Sequence, residues 1–355
     1  MAVTNAASPL LQAARREPTE YTPVWFMRQA GRTLPGYRRL REQYDFLTLS
    51  QQPELCAQVS LEPVRRLGVD AAIIFADIVT PLLGIGLDVK LVESVGPVIA
   101  SPVRTREDVS RLRNLEPEND VSFVLETLRI LRQELPATVA LIGFAGAPFT
   151  LATYLVEGRP SRDYTQVKTF MYCEPDLWHA LMDRLSAITV AYLRAQIEAG
   201  AQAVQLFDSW VGWLGPEDYM EYVLPYSRRI FAALQGRGAS LIHFGTTTAG
   251  LLELMSTAGA DVVSVDWRVQ LDVAWQRLGD QIAIQGNLDP ATLLAPRAVV
   301  QSRTDDILRR AGGRPGHIFN LGHGLLPQTN PDEIAALVAY VHERSALLHK
   351  AGTAI

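Results

Sequence analysis

The chain repeats one pattern along most of its length: a short apolar, β-branched run ending in small or polar residues, then a stretch with helical period. This alternation is typical of parallel strands joined by crossover helices. The helices include residues 177–198, where apolar side chains from Leu181 to Ile197 can share one buried face, and the alternation continues to a last helix at 331–347. Eight runs fit the strand pattern: residues 24–27, 71–76, 139–144, 203–207, 240–244, 262–265, 282–285 and 317–320.

Eight such strands predict an α/β fold, a single-domain (β/α)8 barrel of the TIM type. An open doubly wound sheet would usually carry fewer strands and a phosphate-binding glycine motif after the first, and the cluster Gly143, Gly146 and Pro148 does not match that motif. No Pro/Gly/Ser-rich linker divides the chain, so we expect one domain over residues 1–355, with residues 1–20 poorly ordered. An insertion at 87–103, with β-rich runs around 94–96, predicts a β-hairpin attached outside the barrel.

Charge and cysteine content narrow the class of protein. The net charge of −5 argues against nucleic-acid partners and a polybasic membrane anchor. Cys56 and Cys173 are too few for a disulfide framework and are wrongly spaced for a zinc ribbon, which favours a reducing compartment. Residues 1–10 lack the pattern of an export signal, and no apolar run of about 18 residues occurs. We therefore expect a cytoplasmic protein with no membrane partner.

The cations are almost all arginine, with lysine only at Lys90, Lys168 and Lys350. A guanidinium is a planar, permanently charged group that can grip a carboxylate through two hydrogen bonds. An anionic ligand would need such a local concentration of positive charge on this acidic chain. Genome composition can produce the same bias, and both explanations stay open.

The candidate site residues are those that follow each predicted strand, because barrel active sites lie at the carboxyl ends of the strands. Donors for anions surround one carboxylate, and the sequence shows no nucleophile–base pair, metal cluster or dinucleotide loop. The residues alone therefore predict an arginine-lined site for a polyanion. In chain order the candidates are Arg28-Gln29-Ala30-Gly31-Arg32, Asp77, Tyr154, Asp208 with Ser209, His243, Asp266, Asp289 and Gly322-His323-Gly324.

Each candidate also has a structural interpretation. Arg28 and Arg32 could pair with surface carboxylates, and Asp77 could be the N-cap of the next helix. Tyr154 could be a core aromatic residue whose hydroxyl is satisfied locally. Ser209 could be a cap, and a lone histidine such as His323 is usually structural. For the remaining four we favour the structural interpretation: Asp208, His243, Asp266 and Asp289.

A long motif at residues 23–32, Pro-Val-Trp-Phe-Met-Arg-Gln-Ala-Gly-Arg, resembles the signature of the uroporphyrinogen decarboxylase family. The resemblance runs from about residue 23 to about residue 344. It implies a barrel that removes CO2 from the four acetate arms of uroporphyrinogen III, giving coproporphyrinogen III in haem and chlorophyll biosynthesis. It also implies no metal, no organic cofactor and a homodimer with facing clefts. Further matching segments lie at 73–78, 143–150, 154–158, 207–209, 285–290 and 320–324.

The resemblance also assigns roles to the arginine motif and to the carboxylate. Arg28 and Arg32 would hold acetate or propionate groups, helped by the backbone of Gln29, Ala30 and Gly31. Asp77 would accept hydrogen bonds from the pyrrole N–H groups, and these donors should keep its pKa low. Arg28 is the family-based candidate for the proton donor, although a guanidinium is a very weak acid.

The remaining expected contacts form the edge of the site. Tyr154 would orient Asp77 or a substrate carboxylate and completes the catalytic set of Asp77, Arg28, Arg32 and Tyr154. Ser209 and His323 would bind peripheral carboxylates, while Ile73 and Phe144 would supply apolar walls. Trp210 and Trp213 depart from the smaller or more polar residues expected after Ser209.

The sequence leaves two alternative functions open. The related zinc-dependent methyltransferases of corrinoid metabolism use a His-x-Cys pair and a later cysteine, whereas His243-Phe244-Gly245 lacks that cysteine. The second alternative is a tetrapyrrole carrier without catalytic activity, which only a turnover assay distinguishes.

Overall fold

A parallel β-sheet forms the centre of the structure, a computed structural model that describes residues 7–92 and 95–352. Seven strands are hydrogen-bonded in the order β1-β4-β5-β6-β7-β8-β9, all neighbours being parallel. The pair β5 and β6 has the longest run of paired residues, from Ala203 opposite Ser240 to Asp208 opposite Gly245. Within the described residues the strands are β1 (Ala71–Ile73), β2 (Val89–Val92), β3 (Gly96–Ile99), β4 (Ala140–Gly146), β5 (Ala203–Asp208), β6 (Ser240–Gly245), β7 (Val262–Ser264), β8 (Ala283–Gln285) and β9 (His317–Ile318).

The first predicted strand closes the ring between β9 and β1, although it is reduced to a bridge at Val24. Val24 pairs in parallel with Phe319 on one side. On the other side its carbonyl accepts the Asp70 N–H at 2.8 Å. The strand is short because the chain turns at once, with the Gln29 N–H donating to the Phe26 carbonyl at 3.1 Å. The predicted barrel of the TIM type is confirmed, whereas the lengths expected for this first strand and for the strands at 71–76 and 317–320 are wrong, because β1 ends at Ile73 and β9 at Ile318.

Helices follow the strands and cover the sheet. The longest, Pro175–Glu198, has Pro175 at its start and buries Leu181, Leu185, Ile188 and Tyr192, as its apolar period predicts. None of the described helices has the length and apolar content needed to cross a membrane. The α-helices are α1 (Pro9–Ala14), α2 (Pro35–Gln43), α3 (Phe46–Ser50), α4 (Pro53–Leu67), α5 (Thr80–Gly84), α6 (Arg106–Ser110), α7 (Pro117–Asp120), α8 (Ser122–Glu134), α9 (Pro148–Glu157), α10 (Thr165–Cys173), α11 (Pro175–Glu198), α12 (Pro216–Tyr222), α13 (Leu224–Leu234), α14 (Leu252–Ser256), α15 (Leu271–Leu278), α16 (Arg297–Ala311) and α17 (Pro331–Gly352); 3₁₀ helices lie at Val211–Trp213, Thr248–Gly250 and Pro290–Leu294.

The predicted hairpin is confirmed as the antiparallel pair β2 and β3, with Val89 opposite Ile99 and Val92 opposite Gly96. Residues 93–94, which belong to the predicted turn, lie outside the described residues. The hairpin attaches to α9 rather than to the barrel sheet. The Ile99 N–H donates to the Gly158 carbonyl at 2.8 Å, and the Val103 N–H donates to the Leu155 carbonyl at 2.9 Å.

The amino-terminal segment is more ordered than the sequence suggested. Residues 1–6 lie outside the described part, but α1 packs against β9 and buries Leu10 completely. The expectation of poor order over residues 1–20 is therefore wrong for 9–14, because Leu10 and Ala13 contribute to the same apolar core as the barrel. That core also includes Val341 of α17, so both ends of the described chain join one core.

Candidate active site

The arginine motif forms a tight turn above the first barrel segment. Arg28 adopts a left-handed φ of 63°, which reverses the chain. The buried Gln29 side chain braces the turn: its Oε1 accepts the Phe26 N–H at 2.9 Å, and its Nε2 donates to the Ala71 carbonyl at 2.8 Å. The Gln29 N–H also bonds to the Phe26 carbonyl, so a contact of Gln29 with the ligand stays a prediction that these hydrogen bonds do not favour. Its side chain and its N–H are both occupied.

Ala30 and Gly31 remain as candidate backbone donors. Their N–H groups donate to no acceptor in the described part of the chain. The side chains of Arg28 and Arg32 are both exposed on the same turn. Unpaired backbone N–H groups beside guanidinium groups provide hydrogen-bond donors that suit a carboxylate.

Asp77 lies in the turn between β1 and α5. Its Oδ1 accepts the Val79 N–H at 3.0 Å, and its own N–H donates to the Thr80 hydroxyl at 3.2 Å. The helix begins at Thr80 and its N-cap residue is Val79, so the interpretation of Asp77 as the N-cap is wrong. The carboxylate thus stabilises the turn before α5. Asp77 also lines a cavity of about 110 Å³ with Phe46 and Asp120, but Arg28, Tyr154 and His323 are not among the lining residues of that cavity.

Burial raises the pKa of Asp77 above its usual range. The backbone N–H of Val79, the charge of Arg28 and the backbone N–H of Ile78 act in the opposite direction but do not outweigh burial. The low pKa expected from the sequence depends on pyrrole N–H donors of a bound substrate, so it stays a prediction for the complex, and in the protein alone burial sets the opposite direction.

Tyr154 lies on α9 and is buried, close enough to Asp77 and Arg28 for both charges to affect its hydroxyl. Burial raises its pKa to about 12; the Trp210 side chain opposes this shift, the Asp77 charge adds to it, and the Arg28 charge opposes it. The phenol therefore keeps its proton at neutral pH and can act as a hydrogen-bond donor.

His323 faces the site from the segment after β9. Its Nδ1 accepts the Gly324 N–H at 2.6 Å, which leaves Nε2 to carry the proton of the neutral ring. Burial and the Arg28 charge lower its pKa to about 4, while Asp266 opposes the shift. His323 is thus an uncharged Nε2–H donor at neutral pH.

An aromatic wall connects these groups across the strand ends. Phe144, Phe207, Phe244 and His323 form successive edge contacts with ring centroids 5.4, 5.2 and 6.2 Å apart. Phe144 and His323 were predicted as site residues from the sequence, whereas Phe207 and Phe244 were not. The available signal was strand register, which places Phe207 directly opposite Phe244.

Ile73 and Ser209 lie at strand ends, as the sequence predicted. Ile73 is the last residue of β1 and is 6% exposed. Ser209 directly follows β5, and its carbonyl accepts the Thr246 hydroxyl at 2.6 Å. Its own hydroxyl has no hydrogen-bond partner among the described residues.

The residues interpreted as structural are held by the fold. The buried Asp208 accepts the Thr150 hydroxyl at 3.1 Å. Asp266 accepts the Thr247 N–H and the Arg268 guanidinium, both at 2.6 Å. Asp289 caps the 3₁₀ helix that follows it through the Ala291 N–H. The buried His243 ring packs edge-on against Phe231.

Residues 7–92 and 95–352 contain no group of three His, Cys, Asp or Glu side chains arranged to hold a metal. Cys56 is buried in α4, and Cys173 is exposed at the end of α10. Neither cysteine lies at the end of a barrel strand, where a zinc-dependent methyltransferase would need it.

Comparison with known proteins gives a consistent picture along the whole chain. Residues 5–344 match the family profile described as uroporphyrinogen decarboxylase. Proteins named uroporphyrinogen decarboxylase are 57% identical in Streptomyces coelicolor, over 95% of both chains, and 52% identical in Carboxydothermus hydrogenoformans, over 96% of this chain and 97% of that one. One from Thermus thermophilus is 55% identical over 95% of this chain and 98% of its own.

Solved structures show the same architecture at low identity. A methyltransferase from Methanosarcina mazei is similar with a TM-score of 0.76 and 19% identity, covering 95% of this chain and 98% of that one. A B12-independent methionine synthase from Shewanella has a TM-score of 0.55 and 11% identity, covering 85% of this chain and 89% of its own. These likenesses concern the fold alone.

Proposed function

The chain belongs to the uroporphyrinogen decarboxylase family and is a carboxy-lyase of tetrapyrrole biosynthesis, and we propose that the site around Asp77 and Arg28 carries out its reaction. The substrate is uroporphyrinogen III, whose four acetate arms become methyl groups to give coproporphyrinogen III. The observation that supports this assignment most is that the Arg28 side chain packs against Gly324, the residue directly after His323. Its charge also acts to lower the pKa values of Asp77, Tyr154 and His323.

The substrate explains the types of residue in the site. Uroporphyrinogen has eight carboxylates around its edge and four pyrrole N–H groups at its centre. Arg28, Arg32 and the free N–H groups of Ala30 and Gly31 provide donors for carboxylates, and Ser209 with His323 extends these donors to the periphery. Asp77 provides the acceptor for the pyrrole N–H groups, while Ile73 and the aromatic wall contact the apolar parts of the rings.

Bond breaking requires an electron sink. When an acetate loses CO2, the electron pair of the broken C–C bond remains on the methylene carbon. A proton added to the adjacent pyrrole at a ring carbon makes the ring a cation that accepts this pair. Protonation of the methylene carbon and loss of the ring proton then give the methyl group, so each CO2 released consumes one proton overall.

The role of Asp77 follows from where charge develops. Its carboxylate lies in a buried site, where an anion stabilises the pyrrole cation strongly and needs little reorganisation. By analogy with other preorganised electrostatic groups, this is worth about 3 to 4 kcal/mol. Tyr154 keeps its proton and orients the Asp77 carboxylate or the reacting acetate. Arg28 holds that acetate and is the proposed source of the proton.

The cellular setting and assembly are part of the same proposal. We infer a cytoplasmic homodimer whose two active-site clefts face each other, supported by membership of the family. Sedimentation velocity at micromolar concentration should give twice the mass of the chain, and a species of single-chain mass would refute the dimer.

The direct test is conversion of uroporphyrinogen III by the purified protein under anaerobic conditions. Chromatography should show porphyrinogens with seven, six and five carboxylates before the four-carboxylate product. A tetrapyrrole carrier would bind the substrate and leave it unchanged, and that result would refute the proposed reaction. The fold shared with the Methanosarcina mazei methyltransferase does not favour methyl transfer at 19% identity.

A further inference from the structure

The Arg28 side chain lies directly against the bare Cα of Gly324. A Cβ atom added at Gly324 would lie 2.6 Å from Arg28 Cγ and 3.0 Å from Nε, and closer still to Cδ. These three atoms of Arg28 are the nearest heavy atoms to that position. We propose that Gly324 is a positioning residue for Arg28, because only a residue without a side chain leaves room for the guanidinium to reach the site.

Neither segment can move aside easily. The Leu325 N–H donates to the Met27 carbonyl at 2.9 Å, which ties the backbone beyond Gly324 to the residue before Arg28. The Gly324 N–H is also engaged, because it donates to His323 Nδ1. A side chain at 324 would therefore displace the Arg28 side chain rather than either backbone.

The backbone of Gly324 does not itself require glycine. Its φ is not among the positive values found at other glycines of the chain, so alanine can adopt its conformation. The three nearest atoms all belong to a flexible, exposed side chain, so the cost to folding should be small. Gly322 differs, since a Cβ there would meet the Trp267 backbone N and the Asp266 Cα, both at 2.8 Å. The two glycines that flank His323 thus have separate roles.

The inference rests on the proposed role of Arg28 in holding the reacting acetate. Gly324→Ala should lower kcat/KM by roughly ten- to hundredfold, the scale reached when a reacting group is misplaced by about 1 Å. The thermal midpoint should stay within about 2 °C of the parent, because no core contact is lost. Gly250→Ala is the matched control, since no atom lies within 4 Å of its Cβ position, and it should leave activity unchanged.

A double-mutant cycle separates displacement of Arg28 from any direct contact of the new methyl group with the substrate. Gly324→Ala should reduce kcat/KM strongly in the parent and by less than about twofold in an Arg28→Ala background. A second readout is the His323 pKa from NMR. It should rise in Gly324→Ala, because the Arg28 charge that lowers it has moved away.

Three results would contradict the proposed role of Gly324 in positioning Arg28. These are parent-like activity of Gly324→Ala, an equal loss in both backgrounds, or an unchanged His323 pKa. If Arg28→Ala itself keeps full activity, the proposed function of Arg28 fails. The His323 pKa then still reports whether Gly324 sets the Arg28 position, so the two failures can be told apart.

Discussion

Asp77 has to be charged to stabilise a cation, yet burial opposes that charge. The positive charge of Arg28 and two backbone N–H groups counteract burial only in part. Pyrrole N–H groups of a bound substrate would add donors to the charged form and lower the pKa further. The carboxylate is thus expected to ionise more readily in the complex than in the free protein.

This difference predicts two separate acid limbs in the pH–rate profile. Protonation of Asp77 removes the catalytic charge, so activity falls as the pH falls. The limb of kcat/KM reports the free protein and should lie above the ordinary aspartate pKa of about 3.9, because burial raises the Asp77 pKa. The limb of kcat should lie at lower pH. Stopped assays between pH 4 and 8 would measure both, and limbs at the same pH would contradict the argument.

The guanidinium groups are tested by charge-preserving substitution. Arg28→Lys and Arg32→Lys should each lower kcat/KM by about tenfold or more, since an ammonium cannot make the two parallel hydrogen bonds of a guanidinium. Arg159→Lys is a suitable control, because Arg159 is exposed and makes no hydrogen bond or ion pair with the described residues. Parent-like kinetics in both Arg28→Lys and Arg32→Lys would place these residues outside the site.

Which site residues could be read from the sequence depended on the type of signal. Arg28, Asp77, Tyr154 and His323 follow predicted strands or lie in recognisable motifs, so position along the chain was enough. The contact of Phe207 with Phe244 could be predicted only from the strand register. The role of Gln29 as a brace of the turn depends on hydrogen bonds to residues 26 and 71, which the sequence does not reveal. The direction of the Asp77 pKa required the density of atoms around it, which no local pattern contains.

At the scale of elements, closure of the barrel depends on Asp70. Its carboxylate accepts the Val24 N–H at 2.6 Å and the Tyr21 hydroxyl at 3.0 Å, and lies 2.8 Å from His342 Nε2. One buried side chain thus joins the first barrel segment, the preceding loop and α17. These hydrogen bonds compensate for the short first strand, which forms only a single β-bridge at Val24.

Asp70→Ala should therefore destabilise the whole domain. It leaves the buried Val24 N–H without its acceptor and removes the partner of Tyr21 and His342, a loss of about 2 to 4 kcal/mol. Urea unfolding would measure this, with Asp183→Ala as the control. Asp183 pairs with Arg229 at the surface, where a salt bridge contributes about 1 kcal/mol or less. Equal effects of the two substitutions would contradict the role given to Asp70.

Most elements were predictable because the hydrophobic period of each segment and the length of that segment indicated the same type of secondary structure. Seven of the eight expected strands form, and the helix expected at 177–198 is observed as Pro175–Glu198. The length of the first strand was overestimated because residues 24–27 are all buried, although only Val24 pairs as a strand and the residues after it enter a turn. A buried turn and a buried strand give the same apolar run in the sequence. Helix α1 was missed because its stability comes from burial against β9, a contact distant in sequence.

At the scale of the molecule, the net charge of −5 opposes a substrate with eight carboxylates. Binding must therefore depend on local positive charge at the arginine turn. Catalysis as proposed uses this charge, the Asp77 carboxylate, the Tyr154 hydroxyl and a protonated pyrrole.

Activity should consequently survive exhaustive chelation. The described residues offer no three-ligand group for a metal, and each proposed step uses protein side chains and the substrate. Dialysis against a strong chelator, followed by metal analysis and assay, would check this. An activity that is lost with a stoichiometric ion and returns with it would refute the cofactor-free mechanism.

The central claim, that the Asp77 carboxylate stabilises the cationic intermediate, is tested most directly by the turnover of Asp77→Asn. Asparagine can still accept the Val79 N–H, so the turn and the fold should persist. Removal of a buried charge should leave the thermal midpoint unchanged or higher. With the negative charge gone, kcat should fall by about a hundredfold or more, and Asp77→Glu should retain intermediate activity. A fully active Asp77→Asn of unchanged stability would contradict the account.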